Sequence, residues 1–246
     1  MLAWLKTQAE DCLRLFRAIP SVTMTLFVLS VVLTNLMAAK FIVYTDCIQV
    51  TGGLLLSWLP FLCMDMTAKH FGAMAAVKLN LLGLAMYLAC VGFFQLVVVL
   101  QYTPAAPWAD YSAFREIYGA QWKVLVASSS AFVFSGVVNA AVHHGVGRLL
   151  PGRGETATAY FAQSWISTFV GQFADNFLFV GLLNVLLSGW GWPMLPVLGA
   201  ALLGGLLELL TEMAFSAFGY RAILRWRAEG VGRDYLARRR APSPAR

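Results

Sequence analysis

The sequence predicts an all-α membrane protein whose chain crosses the bilayer six times. Hydrophobic residues make up 59% of the 246 residues and charged residues only 12%. A soluble domain carries roughly 25% charged residues, so about half of the usual solvating surface is missing. Several long runs contain no Asp, Glu, Lys or Arg, and their lengths are close to the roughly 20 residues that a helix needs to span a bilayer. These observations place the chain in lipid.

The uncharged runs define the individual transmembrane helices. They are expected at residues 19–39, 50–66, 79–100, 124–141, 161–187 and 193–220. The loops between them are too short for a second folded domain. The predicted organisation is therefore a cytoplasmic N-terminal segment, 1–18, one membrane domain, 19–220, and a basic cytoplasmic tail, 221–246. Each half holds three spans, an odd number, which is typical of the 3+3 inverted repeats of transporters.

The distribution of basic residues sets the expected orientation. With both termini in the cytoplasm, fifteen of the 18 Lys and Arg residues lie on the inner side, and only Lys40, Arg115 and Lys123 lie outside. Membrane proteins in general carry their excess of Lys and Arg in cytoplasmic loops. The net charge of +6 therefore indicates contact with the anionic head groups of the lipid bilayer, and no binding of nucleic acid is predicted.

Sequence motifs of catalysis and metal binding are absent. The four cysteines form no Cys-x-x-Cys pair and lie in or beside apolar segments, where cysteine behaves as a small hydrophobic residue. No serine-hydrolase, zinc-protease or phosphate-binding motif occurs. We therefore predict that the chain is not an enzyme and uses no cofactor or metal.

Acidic residues inside the predicted spans are the strongest functional signal. Charged residues such as Asp cost roughly 2.5–3.5 kcal/mol each at the centre of a membrane helix. Asp175 lies three residues after Gln172, and Glu208 lies four residues before Glu212, so each pair shares one helix face. No Lys or Arg lies at the same depth, so these carboxylates are expected to be protonated or to face a wet cavity. A solute or proton pathway explains them better than helix packing does.

The asparagines in the spans have two interpretations. Asn35 lies in the first predicted span, Asn139 in the fourth and Asn184 in the fifth. Side-chain hydrogen bonds between membrane helices contribute roughly 0.6 kcal/mol each on average, so these residues are credible as packing contacts. The alternative is that they belong to the solute pathway.

Two segments carry recognisable motifs. Residues 58–73, WLPFLCMDMTAKHFGA, place Asp65, Thr67 and Lys69 ahead of a Phe-Gly-Ala sequence. Residues 164–179, SWISTFVGQFADNFLF, follow the pattern Ser-Thr-x-x-Gly-x-x-x-Asp-x-x-x-Phe. Both resemble motifs of the queuosine-precursor transporters, also called the vitamin uptake transporter family. Weaker similarity surrounds Asn35 and Asn139, and the resemblance extends over about residues 34–220.

The resemblance implies a transporter of the cell inner membrane that imports a 7-deazapurine, such as 7-cyano-7-deazaguanine, for tRNA modification. Such a purine-like base offers adjacent N–H donors, which a carboxylate accepts side by side, and a flat face on which an aromatic ring stacks. The expected substrate-binding residues are Asp175, Gln172, Asn35, Asn139, Trp165, Phe179, Glu208 and Glu212. Asp65, Thr67 and Lys69 are expected to form a gate, the alternative being a plain salt bridge at the end of the helix.

Two other functions are open at this point. The chain has the size of a substrate-capture subunit that docks on a separate ATP-driven module. It is also compatible with a membrane assembly protein that transports nothing and uses its acidic residues for packing. A second copy of the chain and an energising coupling module are both open as partners.

The predicted orientation is testable by thiol labelling. A Ser112→Cys variant is expected to react with a membrane-impermeant thiol reagent in intact cells, because residues 101–123 are predicted to lie outside. A Thr156→Cys variant is expected to stay unlabelled, because its loop is predicted to be cytoplasmic. The reverse labelling pattern would contradict the six-span topology.

Overall fold

The structure, a computed structural model, describes residues 2–100, 111–149, 157–189 and 191–240. Within these ranges the chain is almost entirely helical. The helices are α1 Leu2–Ala18, α2 Ser21–Ala38, α3 Trp58–Phe71, α4 Ala73–Val99, α5 Ser112–Gly119, α6 Gln121–Leu149, α7 Ala157–Leu183, α8 Met194–Glu229 and α9 Arg233–Arg240. The strands β1 Phe41–Tyr44 and β2 Gln49–Thr51 pair antiparallel, a 3-10 turn covers Gly52–Leu55, and a π-helical segment, Asn184–Ser188, follows α7.

Five helical stretches of the described residues are long and apolar enough to cross a membrane. They are Ser21–Ala38, Ala73–Val99, Ser112–Asn139, Trp165–Leu187 and Met194–Phe215. They correspond to the first, third, fourth, fifth and sixth predicted spans. The all-α, polytopic membrane class is therefore confirmed, whereas the count of six spans and the inverted repeat stay predictions.

The second predicted span, residues 50–66, is not one helix. Its first two residues belong to β2, the 3-10 turn follows, and α3 begins only at Trp58 and ends at Phe71. β-branched residues favour the strand, since Val50 pairs with Val43 across the hairpin. The turn lies against α2, where a Cβ on Gly53 would lie 2.5 Å from the carbonyl oxygen of Thr34. The 14 residues of α3 extend about 21 Å, less than a bilayer core of about 30 Å.

The described chain forms two compact units. Unit 1 comprises Met1–Val32, Ser57–Met86 and Glu212–Arg246, and unit 2 comprises Leu33–Leu56 and Tyr87–Thr211. Each unit therefore combines segments from both halves of the sequence. Unit 2 holds the β-hairpin, α5, α6 and the described α7, and α2, α4 and α8 contribute residues to both units.

The core of unit 1 is built on the corner between α3 and α4. Gly72 has a φ of 97° and ends α3, a conformation that only glycine adopts without strain. Its neighbour Phe71 is 2% exposed and packs with Trp226 and Tyr235. The Phe-Gly-Ala part of the motif is thus explained by folding. An ion pair between Asp11 and Lys78 joins α1 to α4.

Unit 2 is organised around α6 and α7, which make the most extensive contact between two elements of the described residues. A hydrogen bond between buried side chains adds α4 to this pair, because the Tyr87 hydroxyl donates to Oε1 of Gln121 over 3.1 Å. Both residues are at most 1% exposed. A bond of this kind satisfies two polar groups that would otherwise be unpaired in an apolar interior.

Two glycines of α4 provide a matched test of packing. A Cβ on Gly83 would lie 2.8 Å from the ring of Phe27, which is fully buried, whereas a Cβ on Gly92 would meet no atom within 4 Å. Gly83→Ala is expected to lower the free energy of unfolding by about 1–3 kcal/mol, because the core ring must move. Gly92→Ala is expected to leave it unchanged or raise it by up to about 1 kcal/mol. Melting of the purified variants in detergent measures both, and equal melting temperatures would contradict the packing described.

Candidate functional site

Polar residues of α6, α7 and α8 lie close together in unit 2, all of them buried or half-buried except Asn139, which is exposed. We call this set the polar cluster, and its members are Ser135, Asn139, Gln172, Asp175, Asn176 and Glu208. Four of the predicted substrate-binding residues belong to it. The helices that carry them are almost wholly apolar around these positions, so the cluster is the main polar feature of the three described spans.

Asp175 is held from α6. The Ser135 hydroxyl lies 2.8 Å from Oδ1 of Asp175 and 3.1 Å from the carbonyl oxygen of Phe132. A hydroxyl has one proton and two lone pairs. Ser135 therefore donates to an ionised Asp175, or accepts from a protonated Asp175 while it donates to Phe132. The same geometry thus accommodates both protonation states of the carboxyl group.

Close approach of α6 and α7 makes this hydrogen bond possible. One turn from Asp175 along α7 lies Gly171, where an added Cβ would come within 2.9 Å of Cβ of Asn139. Asn139 lies one turn from Ser135 along α6. The two contacts show that the helices run antiparallel, with Ser135 opposite Asp175 and Asn139 opposite Gly171. Small residues at such crossings let membrane helices approach closely.

On another side of α7 the cluster continues to α8. Asn176 donates from Nδ2 to Oε2 of Glu208 over 3.0 Å and to the carbonyl oxygen of Gln172 over 3.0 Å. A Cβ on Gly204 would lie 2.7 Å from Cγ of Asn176, and one on Gly205 would lie 3.2 Å from the backbone of α7. Gln172 is 8% exposed and Glu208 is 7% exposed. Asn176 therefore connects the fifth predicted span to the acidic residue of the sixth.

Asp175 keeps hydrogen-bonding capacity that its partners among the described residues do not use. Among the described residues its only hydrogen bond is the one from Ser135 to Oδ1. A carboxylate offers about four acceptor positions, so Oδ2 and part of Oδ1 are available to a ligand. The residue is half-buried. The arrangement can accept two adjacent N–H donors from a polar solute inside an apolar bundle.

Two other predicted binding residues, Phe179 and Trp165, do not belong to the polar cluster. Phe179 follows Asp175 by one turn on the same helix face and packs against the buried Val180, Val197 and Ala200. Trp165 precedes Asp175 by ten residues, about 15 Å along the helix, and is 47% exposed, so the structure does not bring the two together.

Asn35 lies half-buried on α2, in unit 2. Glu212 lies on α8, but its side chain is outside the described part of the structure.

The predicted gating residues all lie on α3, in unit 1. Lys69 Nζ and Asp65 Oδ2 are 2.6 Å apart, and their side chains are 51% and 33% exposed. Exposed pairs at this helical spacing contribute roughly 0.3–0.5 kcal/mol. Thr67 is fully buried and donates to the carbonyl oxygen of Cys63 over 2.8 Å. The salt bridge at the helix end is therefore present, and the gating role stays a prediction.

Sequence reasoning did not include Ser135 and Asn176 among the binding residues. Ser135 lies in an apolar span one turn before Asn139, and helical spacing from that asparagine is the signal that could have found it. Asn176 is the direct neighbour of Asp175, and its role depends on Glu208, 32 positions later in the sequence. Such a long-range pair has no local sequence signature.

Buried polar side chains within helices long enough to cross a membrane are typical of multi-pass membrane transporters. A comparison with family models agrees with this class. The family described as "Putative vitamin uptake transporter" matches residues 51–225, well over half of the chain. The chain belongs to this family, which confirms the family that the sequence analysis suggested. No curated protein and no solved structure matches the chain.

Two serines of α6 test the contact with Asp175. Ser135→Ala removes the hydrogen bond to a carboxyl group and is expected to lower the free energy of unfolding by about 1.5–3 kcal/mol. Ser129→Ala removes a bond to the backbone carbonyl of Leu125, 2.7 Å long, and is expected to cost about 0.5–1.5 kcal/mol. Thermal melting in detergent compares the two variants. A smaller effect at Ser135 than at Ser129 would contradict the role given to Ser135.

Proposed function

We propose that this transporter imports a 7-deazapurine, a queuosine precursor such as 7-cyano-7-deazaguanine, and that Asp175 binds the base. Family membership supports uptake across a membrane, and the base is the narrower proposal. The supporting observation is the carboxyl group of Asp175, which Ser135 fixes through Oδ1 and which keeps acceptor positions for a ligand. Because its acceptors lie inside an apolar bundle, a ligand with matching donors is favoured strongly over one without them.

The shape of a deazaguanine fits this acceptor. Its ring N–H and exocyclic amine lie side by side along one edge, and a carboxylate accepts two such bonds in parallel. Gln172, one turn before Asp175, adds an amide with both donors and acceptors. Phe179 lies one turn after Asp175 and has the flat face that stacks on a purine-like ring. Asn139 and Glu208 complete the polar surroundings of the base.

The proposed path leads inward across the cell inner membrane, with both termini in the cytoplasm. The basic residues of α1, the end of α8 and α9 then meet the anionic lipid of the inner leaflet. In this orientation the exposed Asp65–Lys69 pair of α3 lies at the cytoplasmic end of its helix, where opening and closing of that pair would regulate release of the base.

Uptake measurements test the proposal directly. Cells that cannot synthesise queuosine are expected to accumulate labelled 7-cyano-7-deazaguanine only when they produce this chain. The purified chain in liposomes is expected to catalyse the same uptake without an ATPase. Uptake that requires a copurifying ATPase would instead identify a substrate-capture subunit, and absence of any uptake or binding of the base would overturn the proposal.

Replacement of Asp175 by Asn separates binding from packing. The amide turns a donor toward the donors of the base, and an unpaired buried donor costs about 1–3 kcal/mol. This corresponds to a roughly five- to hundredfold loss of affinity. The amount of protein in the membrane is expected to stay level or rise, because a costly charge has left the span.

Measurement of base affinity and membrane abundance checks this expectation. Asp234→Asn is the matched control, since Asp234 is an exposed residue of α9 and the same chemical change there is expected to leave uptake unchanged. Wild-type affinity and transport rate in Asp175→Asn would remove Asp175 from the binding site.

A further inference from the structure

The β-hairpin lies against the end of α7 and against α8, two of the three helices that carry the polar cluster. Gln49 of β2 is 2% exposed, and its Oε1 accepts a hydrogen bond from Nδ2 of Asn184 over 2.8 Å. Asn184 is also 2% exposed and opens the π-helical segment that follows α7. Short π-helical segments occur frequently at functional sites. A long-range bond between two buried amides therefore joins the hairpin to the end of α7.

The hairpin also lies directly against α8. A Cβ on Gly199 would overlap the carbonyl oxygen of Cys47, in the turn between β1 and β2. Only glycine permits such an approach of backbone to helix. The 3-10 turn after β2 contacts the end of α2, where a Cβ on Gly52 would lie 2.9 Å from the carbonyl oxygen of Met37. The hairpin segment therefore contacts α2, α7 and α8.

The positions of the contacts along α7 and α8 give the distance between the hairpin and the polar cluster. Asn184, the first residue after α7, follows Asp175 by nine residues, and Gly199 precedes Glu208 by nine residues on α8. Each interval corresponds to about 14 Å along the helix axis. The same distance on two antiparallel helices means that the hairpin contacts both of them about two and a half turns from the cluster.

Two polar atoms near this end are buried without a hydrogen-bond partner among the described residues. They are Oγ1 of Thr34, whose residue contacts Gly53, and Nε1 of Trp192, whose ring packs on Gly181 one turn before Asn184. Buried polar groups without a partner in the protein are commonly hydrogen-bonded to water. This end of α7 and α8 therefore has polar atoms that water can satisfy.

We propose that the β1–β2 hairpin is the outer gate of the transport path and that the hydrogen bond between Gln49 and Asn184 holds it closed. The inference rests on the proposed function and orientation, in which this end of α7 faces outward. A solute that approaches Asp175 from outside meets the hairpin first. Opening requires that the bond between the two amides break and that the turn at Cys47 leave Gly199.

Thiol labelling tests the gate without any solute. The reporter is Ala131→Cys, a fully buried position one turn from Ser135 on α6, in a chain whose four native cysteines are replaced by serine. An impermeant methanethiosulfonate is applied to the outer side of right-side-out vesicles. Gln49→Met keeps the side-chain volume but removes the acceptor, and is expected to raise the labelling rate about two- to tenfold.

The matched control removes another buried hydrogen bond of unit 2. Tyr87→Phe deletes the bond to Gln121 and is expected to leave the labelling rate of the reporter unchanged. An equal rise in both variants would overturn the gate, because it would reflect a general loosening of unit 2, and the absence of a rise in Gln49→Met would overturn it as well. Melting temperatures of the variants show that each is folded.

A cross-linking measurement provides a second, independent test. In the variant Gln49→Cys/Asn184→Cys, a short, reducible bifunctional thiol reagent is expected to abolish uptake of 7-cyano-7-deazaguanine, and a reductant is expected to restore it. Each single variant treated in the same way is expected to keep its uptake. Continued uptake by fully cross-linked protein would overturn the gate. If labelling responds to Gln49→Met while no variant carries the base, the proposed solute is wrong and the gate is retained.

Discussion

The free energy of holding polar groups inside a membrane governs the arrangement of unit 2. Lipid offers no hydrogen bonds, so each polar side chain of α6, α7 and α8 needs a partner within the protein. The hydroxyl of Ser135 meets Asp175, and the amide of Asn176 meets Glu208. These pairs fix which faces of the three helices meet, because a rotation of any helix would leave a polar group unpaired in hydrocarbon.

Glycines supply the geometry that this constraint demands. Hydrogen bonds of about 3 Å between side chains as short as Ser, Asn and Asp require helix backbones that lie close together. Gly171 provides this approach between α6 and α7, and Gly204 and Gly205 provide it between α7 and α8. At Gly199 the lack of a side chain lets the backbone of the hairpin turn lie directly against α8. The polar cluster and the close-packed glycines are thus two parts of one arrangement.

The two family motifs have different physical roles. In the second motif Asp175 keeps acceptor capacity that the protein does not use, which is the property expected of a binding residue. In the first motif Phe71 and Gly72 build a corner and a core, and Thr67 bonds to its own helix. Only the Asp65–Lys69 pair of that motif is exposed enough to move without disturbing the core. Folding therefore accounts for most of the first motif.

The sequence by itself determined the membrane class, the positions of five candidate spans and the family, because hydropathy and short motifs are local properties of a chain. It did not determine the β-hairpin, the short length of α3 or the hydrogen-bond partners of the polar side chains. Val50 and Thr51 are residue types that also occur in transmembrane helices. They form a strand here because they pair with β1. Likewise, the contacts of Asp175 with Ser135, 40 positions away, and of Gln49 with Asn184, 135 positions away, exist only once helices pack. Such contacts depend on helix register and distance in space, which are properties of the tertiary structure alone.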